Sequence, residues 1–211
     1  MSVSHLEQYL AQLPDGWNSY PQTLANRDLL PPYLDEFPSL ADDLLLAEPL
    51  RRIAKEYRQK ALPKTVPAVV HIALLCSIRD RFCDSDTSFI FLIGRLSTRY
   101  VEVGLFRFFL TLLPARMMVL TAASQWERSF PGTTFRRHNQ QAKGFDAVVT
   151  YPPNLFPEFC MRAFARSIQV LQGFSRQKGS RTLLKSFGVT QSEFSFVWEG
   201  ELAETAKGEA K

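Results

Sequence analysis

FDAVVTY at residues 145–151 and EFSFVW at 193–198 flank LFPEFCMRAFARSIQVLQGFSRQ at 155–177, and these three stretches decide the fold. In the first, Phe145, Ala147, Val149 and Tyr151 alternate with Asp146, Val148 and Thr150; in the last, Phe194, Phe196 and Trp198 alternate with Glu193, Ser195 and Val197. A period of two marks a strand with one buried face. Between them Phe156, Phe159, Cys160, Ala163, Phe164, Ile168, Leu171 and Phe174 recur at helical spacing, while Arg162, Arg166, Gln169 and Arg176 fall on the other side. An amphipathic helix is therefore expected from about Leu155 to Gln177, capped by Asn154, with Pro157 in its first turn and Gly179 able to end it. A helix with one apolar stripe must lie on something, and the sheet is its partner.

Each strand has a neighbour in sequence. Thr133 to Gln140, with only Phe135 clearly apolar, reads as an edge strand that turns at Gln141 to Gly144 into the Phe145 strand. Leu183, Lys185 and Phe187 begin a second hairpin whose turn is Gly188 to Ser192. The expected class is α+β: N-terminal helices plus a four-stranded antiparallel sheet made of two hairpins separated by an amphipathic helix. Residues 1–62 are read as an N-terminal helical segment packed on the main domain, 63–200 as an α+β ligand-binding-like domain, and 201–211 as a mobile tail without an apolar face.

Upstream, Leu6, Tyr9, Leu10 and Leu13 share a helical face over Ser4 to Leu13, stopped by Pro14, Asp15 and Gly16. Gln22 to Leu30, ended by Pro31 and Pro32, and Ser39 to Ala47 read as short helices. From Glu48 to Ala61 the apolar stripe is Leu50, Ile53, Ala54, Tyr57 and Ala61. Arg51, Arg52, Lys55, Arg58 and Lys60 take the rest, either as a solvated face or as an anionic docking surface. Ala68 to Phe82 is apolar nearly all round, hence a buried helix, and His71 inside it is a hydrogen-bonded core residue or a metal or haem ligand. Helices follow over Phe89 to Leu113, where Arg95, Arg99 and Glu102 share a face, and over Ala115 to Phe130, with Met118, Val119, Ala122 and Trp126 inward.

The 211 residues suffice for one compact unit with a real core. A net charge of +4 permits contact with nucleic acid or anionic lipid without demanding it. Cys76, Cys83 and Cys160 are odd in number and have no zinc-like or framework spacing, which suits reduced thiols in the cytoplasm. The longest apolar run, Val66 to Ile78, is too short to span a bilayer. A soluble, cytoplasmic protein without membrane insertion is expected.

The stretches DGWNSYPQTLANRDLL, FDAVVTYPPNLFPEFCMRAFARSIQVLQGF and FSFVWEG carry a resemblance. With the order of several helices, hairpin, helix and hairpin, the chain resembles a myxobacterial paralogous family of uncharacterised proteins. Its fold is similar to that of haem nitric-oxide-binding domains, 4-vinyl-reductase-type domains and Bet3-like trafficking subunits. The resemblance implies a sensory or regulatory adaptor that binds a small apolar ligand or a protein partner and pairs as a homodimer, relatives of the fold pairing through helices. The tyrosine-x-serine-x-arginine motif that grips haem is missing, as are the late cysteines of the 4-vinyl-reductase type, so no cofactor and no metal are expected. An apolar pocket would take Phe106, Phe109, Met118 and Trp126 as its wall and Arg95 or Arg99 at an anionic end. In the alternative those aromatics close the core and function rests on surface contacts.

Residues 176–198 admit a second reading, a helix-turn-helix DNA-binding regulator in which Gln191 and Ser192 meet base edges and Arg176, Lys178, Arg181 and Lys185 meet phosphates. Three aromatics at period two speak for a strand there, so nucleic acid is not the expected partner. His5, His71 and His138 stand in no visible relation to a nucleophile and a carboxylate, and no phosphate-cradling glycine loop occurs, so no enzyme is expected.

Overall fold

The computed structural model describes residues 4–43, 45–102, 123–141, 143–174 and 179–198, with the side chains of 100–102 excepted. Four antiparallel strands, β3 (Thr134–Gln141), β4 (Gly144–Thr150), β5 (Arg181–Phe187) and β6 (Gln191–Val197), form a sheet in the order β3-β4-β6-β5. The two hairpins meet through the aromatic strands. Phe145 stands opposite Phe196 and Ala147 opposite Phe194, with the Phe145 and Phe196 rings stacked 4.4 Å apart. Cross-strand aromatic pairs of this kind hold register, because a slip by one residue would turn Phe194, Phe196 and Trp198 to water. The α+β class and the two-hairpin sheet expected from sequence are thus present.

At the β3–β4 turn Gly144 lies against the β6 backbone. A Cβ there would stand 2.3 Å from the Phe196 carbonyl oxygen, which is held by the ladder and cannot swing aside. Gly144→Ala is expected to lower the free energy of unfolding by about 1–3 kcal/mol, read from the shift of the urea midpoint. A shift under a third of that size would show that the turn yields.

One face of the sheet carries the core. Helix α6 (Glu158–Gly173) packs on β5 and on α5 (Asp86–Glu102). It is shorter than expected. Asn154 does not cap it: its backbone is left-handed (φ 58°) and its Nδ2 donates to the Gln12 carbonyl, while Pro157 occupies the cap position without a side-chain bond. Arg166, expected on the polar side, instead crosses to α5 and lies over Gly94, with its Nε buried and unpartnered.

Helix α4 (Ala68–Phe82) runs through the middle, and every residue from Ala68 to Ile78 is buried, as its uniform apolarity requires. Helix α1 (His5–Gln12) lies on it. Ser4 and Glu7 form a capping box, and the Asp80 carboxylate accepts from the His5 and Leu6 amides at 3.0 and 3.1 Å and pairs with His5 Nδ1 at 2.7 Å. These are orphan donors of a helix start, satisfied by a carboxylate at its positive end. His5 is therefore pinned rather than frayed. The apolar core is continuous from Tyr9 to Trp198.

Two upstream expectations are corrected. Gln22 to Leu30 is not helical: Leu24–Asn26 forms β1, which pairs with β2 (Thr65–Pro67), and a 3-10 turn follows at Arg27–Leu29. Pro31 and Pro32 then start a helix, α2 (Pro31–Glu36), rather than end one, because a proline at the first helical positions lacks only a donor the helix would not use. Ser39 to Ala47 gives a short 3-10 turn, Pro38–Ala41, whereas Glu48–Arg58 forms α3 as expected.

Candidate functional site

On the face of the sheet away from the core the strand alternation gathers charge. β4 turns Asp146 outward between Phe145 and Ala147, and β6 turns Glu193 outward beside Phe194. β3 sets His138 opposite Asp146. In β5 the register shifts between Leu184 and Ser186, so Lys185 is an extra, unpaired residue of a bulge. Its ammonium reaches Asp146 Oδ2 and Glu193 Oε1, each at 3.0 Å. Asn139, left-handed at φ 48°, points its Nδ2 at the same Asp146 oxygen from 3.3 Å. His138 Nε2 lies 3.5 Å from Glu193 Oε1, shut off from water and without a hydrogen-bond partner.

The electrostatics follow from these contacts. The Lys185 hydrogen bond, then that of Asn139, holds the Asp146 carboxyl below its usual range, and Asp146, then Glu193, raises Lys185. Two carboxylates thus hold one ammonium between them, with the imidazole beside Glu193, and the ligand atoms of the imidazole and the carboxylates all lie within 4.8 Å of one another. Sequence reading placed His138 on a polar edge strand but missed its partners. Asp146 and Glu193 stood at outward positions of the strand pattern and Lys185 in a strand to which the pattern gave no side; only the register and the bulge bring them together.

The residues expected to line a ligand pocket are distributed differently. Arg95 and Arg99 do come together, but on Glu36 of α2, at 3.0 and 2.5 Å, with both side chains more than half exposed. Trp126 is buried, its Nε1 donating to Thr133 Oγ1 at 2.8 Å, among Phe130, Phe135, Phe156 and Phe164. Phe106, Phe109 and Met118 lie outside the described residues. Two surface clefts of about 250 and 400 Å³ flank α2 and α3, sharing Tyr57 and Lys60. Within the basic face of α3, Arg58 is clamped by Asp42 at 3.0 Å and by the Pro38 carbonyl at 2.7 Å.

Buried chemistry is muted by burial. Cys76 and Cys160 are free and buried, and burial, together with the neighbouring Cys76 thiol, pushes the Cys160 thiol well up, against thiolate formation. His71 is buried in the core as expected, its ring against those of Tyr33 and Phe130, with Nδ1 lacking a hydrogen-bond partner.

The helix-turn-helix over 176–198 does not form, since Arg181–Phe187 and Gln191–Val197 are paired strands. Ser192, assigned to base edges in that reading, is buried and bonded to the Tyr151 hydroxyl at 2.7 Å. Arg176 and Lys178 lie outside the described residues. Among the described residues no helix is long and apolar enough to cross a membrane. No family model matches the chain, and no curated protein or solved structure matches it either.

Proposed function

We propose that the protein is a cytoplasmic, non-enzymatic regulatory adaptor that works by protein contact, pairing with a second copy of itself along the β5–β6 hairpin. The observation that carries this is an exposed apolar patch on the β5 side of the sheet, which the β3 side lacks. On β3 the exposed residues are polar, Arg136 and Arg137 among them, and a left-handed Asn139 bends the strand: devices that keep an edge from pairing. The other edge strand, β5, carries Arg181 and the Lys185 bulge but also the apolar patch: Leu183 is 57% exposed, Val189 in the turn is 57% exposed, and Val197, opposite Arg181 on the adjoining β6, is 43% exposed. Antiparallel pairing of one edge with its own copy is self-complementary under a twofold axis. The resemblance to the haem nitric-oxide-binding, 4-vinyl-reductase-type and Bet3-like fold, and to the myxobacterial family, belongs to this proposal and is supported by the order hairpin, helix, hairpin.

Native mass spectrometry and sedimentation velocity over a concentration series test it. The wild type should run as a dimer, and Leu183→Glu combined with Val197→Glu should raise the dissociation constant at least tenfold with an unchanged circular dichroism spectrum. A monomer at every concentration sinks the pairing. So does a dimer disrupted by Phe91→Glu on α5, where Phe91 is 65% exposed, but not by the hairpin variant, since contact would then run through helices.

A further inference from the structure

We infer that His138, Asp146 and Glu193 form a binding site for a divalent transition-metal ion, with Lys185 as the resident cation that the metal displaces. Imidazole nitrogen and carboxylate oxygen are the donor set of zinc and its first-row neighbours. Two ligands about 2.1 Å from a tetrahedral zinc lie roughly 3.4 Å apart. His138 Nε2 and Glu193 Oε1 already stand 3.5 Å apart. The Asp146 oxygen, within 4.8 Å of both, closes the remaining gap by rotation of its carboxylate.

The second observation is the state of His138 Nε2. The nitrogen atom itself is shut off from water and makes no hydrogen bond, although the His138 side chain is 37% exposed and Glu193 Oε1 stands 3.5 Å from it. In the neutral tautomer that carries its proton on Nδ1, this nitrogen offers a lone pair that a metal seated between it and Glu193 would take up. Lys185 explains how the carboxylates tolerate each other meanwhile: its ammonium, 3.0 Å from each, sits between Asp146 and Glu193 as a cation would. Because Lys185 is the bulged residue of an edge strand, it can swing to solvent without breaking a ladder bond to β6. Metal enters, the ammonium leaves with its protons, His138 binds as the neutral imidazole, and solvent fills the fourth position. Three protein ligands with solvent in the fourth position make an exchangeable site rather than a closed structural centre.

Isothermal titration of the untagged full chain with zinc chloride at pH 7 tests this, with cobalt(II) absorption as a second readout. The wild type should bind one zinc per chain. Lys185→Met should bind at least tenfold more tightly, because the competing ammonium is gone and the carboxylates remain. His138→Ala should bind at least tenfold more weakly and lose the visible cobalt bands, with circular dichroism confirming that both variants fold. Zinc binding of equal strength in His138→Ala would place the metal on thiols or adventitious groups and overturn the inference. Lys185→Met and wild type of equal affinity would overturn the displacement. His138→Ala lies on β3 and leaves the β5–β6 hairpin unchanged, so its outcome is independent of the dimer; Lys185→Met lies on β5, and its zinc affinity is therefore compared at a concentration where sedimentation shows it in the same oligomeric state as the wild type.

Discussion

Phe156→Ala is expected to lower the free energy of unfolding by about 3–5 kcal/mol, a large part of the roughly 5–15 kcal/mol available to a domain. The ring is fully buried and meets four others: Trp126 at 6.0 Å, Phe130 at 5.2 Å, Tyr151 at 5.0 Å and Phe164 at 5.8 Å. Those neighbours belong to different parts of the chain. Trp126 lies in the helical stretch 123–129, Tyr151 just past the end of β4, and Phe164 on α6. Tyr151 is further fixed by its hydroxyl, which donates to the Gly188 carbonyl at 2.8 Å, and Trp126 by its bond to Thr133. Elements anchored separately cannot collapse together, so most of the cavity left by the ring should persist, and the transfer and cavity contributions add. Urea denaturation of wild type, Phe156→Leu and Phe156→Ala should show graded losses at constant slope. A loss below about 1 kcal/mol for the alanine variant would mean that the ring is not enclosed.

That aromatic knot was partly legible beforehand. The alternation in FDAVVTY and FSFVW needed no structure, because a buried strand face has one period and one outcome, and burial of Phe145, Ala147, Val149, Phe194 and Phe196 follows it. Helix α4 was legible for the same reason, its apolar residues leaving no choice of face. What failed upstream failed by tertiary pairing. Leu24–Asn26 has no strand signal of its own and is extended because Thr65–Pro67 lies beside it, and Pro31 and Pro32 can begin a helix as readily as follow one. The charged cluster was illegible for a third reason. Its members are separated by up to 55 positions in the sequence, from His138 to Glu193, and their meeting depends on a strand order, β3-β4-β6-β5, and on one bulge at Lys185. Leu183 shows how much a bulge decides. Read in phase with Lys185 and Phe187 it has no preferred side, yet in the sheet it faces out while Thr182 and Leu184 turn inward. Arg95 and Arg99 were rightly placed on one face, but their partner, Glu36, comes from a helix that sequence reading had not placed at all.

Acid is expected to destabilise the protein through His71. The imidazole is 1% exposed, and burial lowers its pKa from 6.5 to about 4 in the folded chain. Its unfolded counterpart titrates at the ordinary value, so between the two the unfolded chain binds a proton that the folded one refuses. Stability therefore rises with pH across this window. The contribution of a neutral His71 is fully present above pH 6.5 and is lost as pH falls towards 4, amounting to about 2 kcal/mol between pH 7 and pH 4.5. Other ionisable groups contribute to the pH dependence of stability as well, so the quantity to measure is a difference. Unfolding free energies of wild type and His71→Phe, obtained from urea curves at both pH values, should diverge in slope, the wild type losing about 2 kcal/mol more than the variant. Phenylalanine keeps an aromatic plane between Tyr33 and Phe130 and removes the unpartnered Nδ1; His71→Leu serves if the larger ring does not fold. Parallel losses in wild type and variant would show that the folded chain accepts the proton, by opening α2 from α4 or by admitting water to Nδ1. Either would make His71 a solvated side chain rather than a core one, and the low pKa would be wrong with it.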